Sequence, residues 1–168
     1  DSKMGKIGLP RLSFSVLFLS IGLYFSTGLD GTHLHGLVES YLPPSKVDDW
    51  IDNLDDAFKL SQEESKPIFI DFTGYTCTNC RWMEVNIFED EDVKLLFKNF
   101  VLTKLYTDGN ENSHKLNQEL EISRFGTAAL PFYVILSPND KKIATFPGMD
   151  PNKQNFINFL NESINKFN

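Results

Sequence analysis

The chain has 168 residues, 41% hydrophobic and 13% aromatic, enough for one compact domain with a real core. Its formal net charge is −7. A negative balance opposes binding to nucleic acid or to an anionic lipid surface, so neither partner is expected.

Residues 1–11 carry Lys3, Lys6 and Arg11 and read as a cytoplasmic N-terminal stub. From Leu12 to Leu29 no charged residue occurs in eighteen positions. At about 1.5 Å per residue, such a helix crosses a bilayer core of about 30 Å. Ser13, Ser15, Ser20, Ser26 and Thr27 make it a modest span. Its length exceeds the usual signal-peptide core and no small-x-small cleavage site follows cleanly. A transmembrane helix over 12–29 is therefore the expectation, ahead of a signal anchor or a buried soluble helix. Basic residues precede the run, whereas Asp30, Glu39, Asp48 and Asp49 follow it, which places the N-terminus in the cytoplasm and the remainder outside.

Residues 30–46 form a juxtamembrane linker, with Gly31 and Gly36 as loose points and Pro43-Pro44 as a stiff exit. His33 and His35 have no third or fourth ligand nearby and read as exposed histidines rather than a metal pair. No metal site and no separate cofactor are expected. Residues 31–168 hold 13 basic and 21 acidic side chains, a net charge of −8.

From 47 to 168 the pattern is that of one α/β domain. Ile51, Leu54, Ala57, Phe58 and Leu60 set a helical stripe through Trp50–Ser65. Lys66–Phe72 has the β-branched and aromatic content of a buried strand, and Gly74 supplies a turn. A helix begins at Cys77. Glu91–Phe100 reads as helix, Val101–Tyr106 as strand, Asp108–Asn110 as turn and Ser113–Arg124 as helix. Pro131–Leu136 and Lys142–Phe146 read as antiparallel strands around the turn Ser137–Asp140, and Asn155–Phe167 as a closing helix.

The two cysteines, Cys77 and Cys80, are the only ones in the chain. Cys77 would sit at a helix N-terminus, where unpaired amides and the positive end of the helix dipole favour a thiolate, and Cys80 lies one turn further in. Zinc needs about four ligands, and no second cysteine pair or spaced Cys/His pair completes a set. A disulfide between such close cysteines constrains little of the unfolded chain, so it adds little stability. Redox chemistry is the expectation, ahead of metal binding or an inert pair. Asp71 lies in a strand covered on both faces, which draws its carboxylate inward. Glu84 follows Cys80 by four positions and Cys77 by seven, a spacing that shares a helix face.

Ile70-Asp71-Phe72, four residues, then Cys77-Thr78-Asn79-Cys80 resembles the strand, turn and CxxC helix of the thioredoxin superfamily, with Asp71 as its acidic residue six positions before the first cysteine. Gly126-Thr127-Ala128-Ala129-Leu130-Pro131-Phe132 is similar to the superfamily's cis-proline segment, with Pro131 as the match. Within the superfamily the likeness is to the C-terminal domain of the thiol:disulfide interchange protein DsbD family, in which a glutamate follows the first cysteine by seven positions. Glu84 falls there. Where the family usually has Trp before the first cysteine, this chain has Thr76, preceded by Tyr75.

The resemblance covers about Val47 to the C-terminus. It implies a thioredoxin-like fold with a mixed sheet and helices on both faces, and a redox-active Cys77–Cys80 disulfide. Asp71 and Glu84 would handle protons, while Pro131, Leu130, Tyr75 and Thr76 would contact the substrate. The chain begins at Asp1 rather than Met, and the resemblance implies the tail of a longer membrane protein. It further implies a protein-disulfide reductase in the periplasm, tethered to a bacterial inner membrane and monomeric as a soluble domain. Its partners would be a membrane-embedded electron relay and periplasmic disulfide-bearing proteins. An oxidase, an isomerase, a cytochrome c maturation reductase or a CxxC module for Cu(I) are the alternatives.

Overall fold

The computed structural model describes residues 8–26 and 50–167. The expected linker 30–46, with His33 and His35, lies outside the described residues. So does most of the expected stub.

Two units are distinguished, and the first contains helix α1 (Leu9–Ser26). This helix is long and apolar enough to cross a membrane, and none of its residues is buried. It begins three positions ahead of the expected Leu12, because proline is tolerated in a first turn, where Pro10 sits, and Leu12 donates its amide to the Gly8 carbonyl at 3.1 Å. Its serines return their hydroxyls to the preceding turn, Ser13 to the Leu9 carbonyl and Ser20 to that of Val16, which satisfies those hydroxyls within the helix.

The second unit contains α2 (Leu54–Glu64), β1 (Ile68–Thr73), α3 (Thr78–Met83), a π-helical turn (Glu84–Phe88), α4 (Glu91–Phe97), β2 (Val101–Tyr106), α5 (Asn112–Phe125), β3 (Phe132–Leu136), β4 (Lys142–Pro147) and α6 (Lys153–Phe167). The sheet order is β2-β1-β3-β4. β1 pairs in parallel with β2, and β3 runs antiparallel to both β1 and β4. This is the expected mixed sheet.

Alternation along β1 assigns the two faces. Ile68, Ile70 and Phe72 pack with Ala57, Val101, Leu105, Phe132 and Val134, beneath α2 and α5. Phe69 points the other way, into an aromatic cluster with Met83, Phe88, Phe97, Tyr133, Phe156 and Phe159, beneath α3, α4 and α6. Burying each large side chain contributes roughly 1.5–3 kcal/mol, so this face carries much of the stability. Asp71, two residues on from Phe69, opens onto the same face as the helix that carries the cysteines.

Two expected boundaries in this unit are corrected. The stripe from Trp50 does not begin a helix there: the Asn53 side chain accepts the amides of Asp55 and Asp56, caps α2 and sets its start at Leu54. Ahead of that cap, Ile51 is extended and bridges β2, donating to the Leu102 carbonyl and accepting from the Lys104 amide. The helix expected to reach Phe100 stops at Phe97 and closes in a turn. The helix from Cys77 gives way at Glu84 to the wider π turn.

Candidate active site

β1 leads directly to the cysteines. After Thr73 the chain turns at Gly74, and there is no room for a side chain: a Cβ on Gly74 would come within 2.7 Å of the Asp108 Oδ2 and 3.1 Å of the Leu130 Cδ1. The Asp108 carboxylate accepts the amides of Tyr75 at 2.8 Å and Thr76 at 2.9 Å, and the Thr76 hydroxyl at 2.8 Å. Burial pushes this carboxyl up, but the hydrogen bonds from Thr76 and Tyr75 outweigh it and hold Asp108 below the usual carboxylate range. Asp108 is therefore the anchor of the pre-cysteine loop, although its sequence reads only as a turn.

Cys77 occupies the N-cap of α3, and the Cys80 amide donates to its Sγ at 3.1 Å. The two sulfurs form a disulfide. Cys77 is partly exposed, whereas Cys80 is buried. Leu130-Pro131 is a cis peptide, and the Pro131 carbonyl is already taken by the Gly148 amide at 2.8 Å. Tyr75, almost half exposed, stacks on Tyr106 with ring centroids 4.1 Å apart and meets His114 edge-on. Gly109 makes that packing possible, since a Cβ there would overlap the His114 Nδ1.

The sheet face on which α3 packs carries a buried charge cluster. Asp71 is 1% exposed, and neither carboxylate oxygen has a hydrogen-bond partner. Its register partners on the same face are Lys104 in β2 and Tyr133 in β3, whose hydroxyl is also buried without a partner. Burial pushes the Asp71 carboxyl up to about 7. Lys104 and Arg81 oppose the shift and Glu84 reinforces it. Burial and then the Asp71 charge raise the Tyr133 phenol well above its ordinary value.

Glu84 is drawn into this cluster by two cations. Its carboxylate pairs with Arg81 through both oxygens, one contact being 2.7 Å from Nη2, and with the Lys104 Nζ at 3.0 Å. Arg81 also donates to the Thr73 hydroxyl at 3.4 Å. The Lys104 ammonium sits 4.9 Å above the Trp50 ring. Arg81, Lys104, Asp108 and Tyr133 were not singled out from the sequence. Only Arg81 carried a usable signal, its position three residues ahead of Glu84 in a helical stretch.

The geometry defines a class: a dithiol–disulfide centre at a helix N-terminus that follows β1, with a buried acid in β1 and a cis-proline leading into the neighbouring β3, on a thioredoxin fold. Residues 49–138 match the family described as thioredoxin-like, and the chain belongs to that family of disulfide oxidoreductases. It is 31% identical over 85 residues to the thiol:disulfide interchange protein DsbD of Campylobacter jejuni, a match covering 51% of this chain and 15% of that protein. It is 29% identical over 92 residues to human spermatogenesis-associated protein 20, covering 54% of this chain and 12% of that one. The chain thus spans a small part of these relatives.

Among solved structures, a thioredoxin from Thermus thermophilus aligns with a TM-score of 0.60 at 22% identity, covering 70% of this chain and 88% of that one. The oxidised C-terminal domain of Neisseria meningitidis DsbD aligns with a TM-score of 0.55 at 16% identity, covering 68% and 98%. At these identities the structures establish the fold.

Proposed function

We propose that the domain is a protein-disulfide reductase, held at the periplasmic face of a bacterial inner membrane by the apolar helix and recharged by a membrane-embedded dithiol relay. The observation that carries the direction of attack is the asymmetry of the pair: Cys77 is accessible and accepts the Cys80 amide, whereas Cys80 is buried. In the reduced domain the Cys77 thiolate attacks one sulfur of a partner disulfide. A Cys77–partner bond forms, the partner S–S bond breaks, and the leaving sulfur departs as a thiolate. Cys80, deprotonated with Asp71 as the nearby acceptor, then attacks the Cys77 Sγ and expels the second partner thiolate. Two electrons pass to the partner, and Cys77–Cys80 is left oxidised.

Re-reduction is the reverse exchange with another dithiol. The chain has no third cysteine, so that dithiol belongs to the relay. The likeness to DsbD supports this reading, and the negative charge of residues 31–168 fits a domain that works away from the lipid surface.

Equilibration in glutathione and dithiothreitol buffers, read by thiol trapping, tests the direction. A potential near the thioredoxin range, about −270 mV, supports a reductase; one near the strongly oxidising range, about −120 mV, overturns it. Stoichiometric copper in the purified protein, with no reduction of insulin, would favour a metal module instead.

A further inference from the structure

Two carboxylates share the buried charge cluster, and the structure gives them different partners. Asp71 has no hydrogen-bond partner on either oxygen. Glu84 has a cation on each: Arg81 grips both oxygens, and Lys104 joins at Oε1. Both cations are themselves buried, at 4% and 7% exposure. A planar guanidinium matched to a carboxylate is a geometry-fixing pair, and removing one partner of a buried pair strands the other.

We propose that Arg81 is a positioning residue that, with Lys104, holds the Glu84 carboxylate as an internal counter-charge that tunes Asp71. The groups facing Asp71 are Lys104 from β2, Tyr133 from β3, and Arg81 and Glu84 from the segment after the cysteines. The side chains of α4 and α6 in the surrounding cluster, Val93, Phe97, Phe156 and Phe159, carry no charge. With Asp71 ionised, two anions balance two cations. Loss of Arg81 leaves two carboxylates and one lysine, and loss of the Glu84 charge leaves Asp71 facing two cations.

Carboxyl carbon-13 NMR of the oxidised full chain in detergent micelles, titrated from about pH 4 to about pH 10, reads this directly. Glu84→Gln should lower the Asp71 midpoint, and Arg81→Gln should raise it. Each displacement should reach about one pH unit, roughly tenfold in proton affinity. The double variant should return toward the native midpoint, since a cation and an anion leave together. Arg81→Lys keeps the charge and loses the fork, so a smaller upward displacement is expected. That variant carries the test where Arg81→Gln does not fold.

Loss of the Asp71 titration in Glu84→Gln, rather than its displacement, would overturn the proposal. So would an unmoved midpoint in Arg81→Lys and Arg81→Gln alike. The readout requires no electron transfer, so it stands apart from whether the domain acts as a reductase.

Discussion

Asp108 and Thr76 are joined twice, by the backbone amide at 2.9 Å and by the hydroxyl at 2.8 Å, both to the same carboxylate oxygen. Residues more than thirty positions apart thereby fix the last residue before Cys77. Asp108→Ala removes these bonds together with that from the Tyr75 amide. We expect a loss of about 1–2 kcal/mol in denaturant unfolding and a changed alkylation rate of Cys77 in the reduced protein. Gly74→Ala drives a methyl against the same carboxylate, so its effect should overlap that of Asp108→Ala, and the double variant should fall short of the sum.

The cysteines should divide their labour. Cys80→Ser should accumulate a Cys77-linked mixed disulfide with its partner on non-reducing gels, and Cys77→Ser should accumulate none. The opposite pattern would reverse the assigned roles.

Asp71 makes stability depend on pH with a definite sign. Its folded carboxyl titrates near 7, against an ordinary value of 3.8. As pH rises from about 4 to about 7 the unfolded chain releases this proton while the folded domain keeps it, so folding loses stability across that window; the full cost is present above about 7. Asp71→Asn lacks the titration. Relative to native protein it should gain roughly 1–4 kcal/mol on going from pH 4 to pH 8. Urea midpoints of the oxidised proteins at the two pH values check this. A native-to-variant difference that does not change with pH would place the carboxylate in water.

Topology follows from the charges around the apolar helix. A reporter that works only outside the cytoplasm should be active when fused after Asn168, and a cytoplasmic reporter silent. Activity of the cytoplasmic fusion would remove the periplasmic assignment.

Much of the site was legible because its signals are local. The apolar run of β1, the paired cysteines and the segment around Pro131 each declare themselves within a few residues. Glu84 was singled out by its spacing and by the family resemblance, but its surroundings were not. Arg81 and Lys104 take their meaning from a register that sets Lys104 opposite Asp71, and no pattern along the chain reports which residues two strands bring together. The same holds for Asp108 and Tyr133. Trp50 was misread for another reason: apolar spacing favours a helix, whereas the Asn53 cap and the bridge of Ile51 to β2 decide where the helix begins.

The π turn at Glu84–Phe88 has a consequence for comparing sequences. It houses one more residue per turn than an α-helix would, with Glu84 at its head and the buried Ile87 and Phe88 at its end. An α-helix advances about 100° per residue, so deleting one residue here would swing either the cysteines or the two core side chains off the sheet. A gap between Cys77 and Phe88 in an alignment of related chains would therefore mark a different arrangement of the buried acids, even where every motif residue is retained.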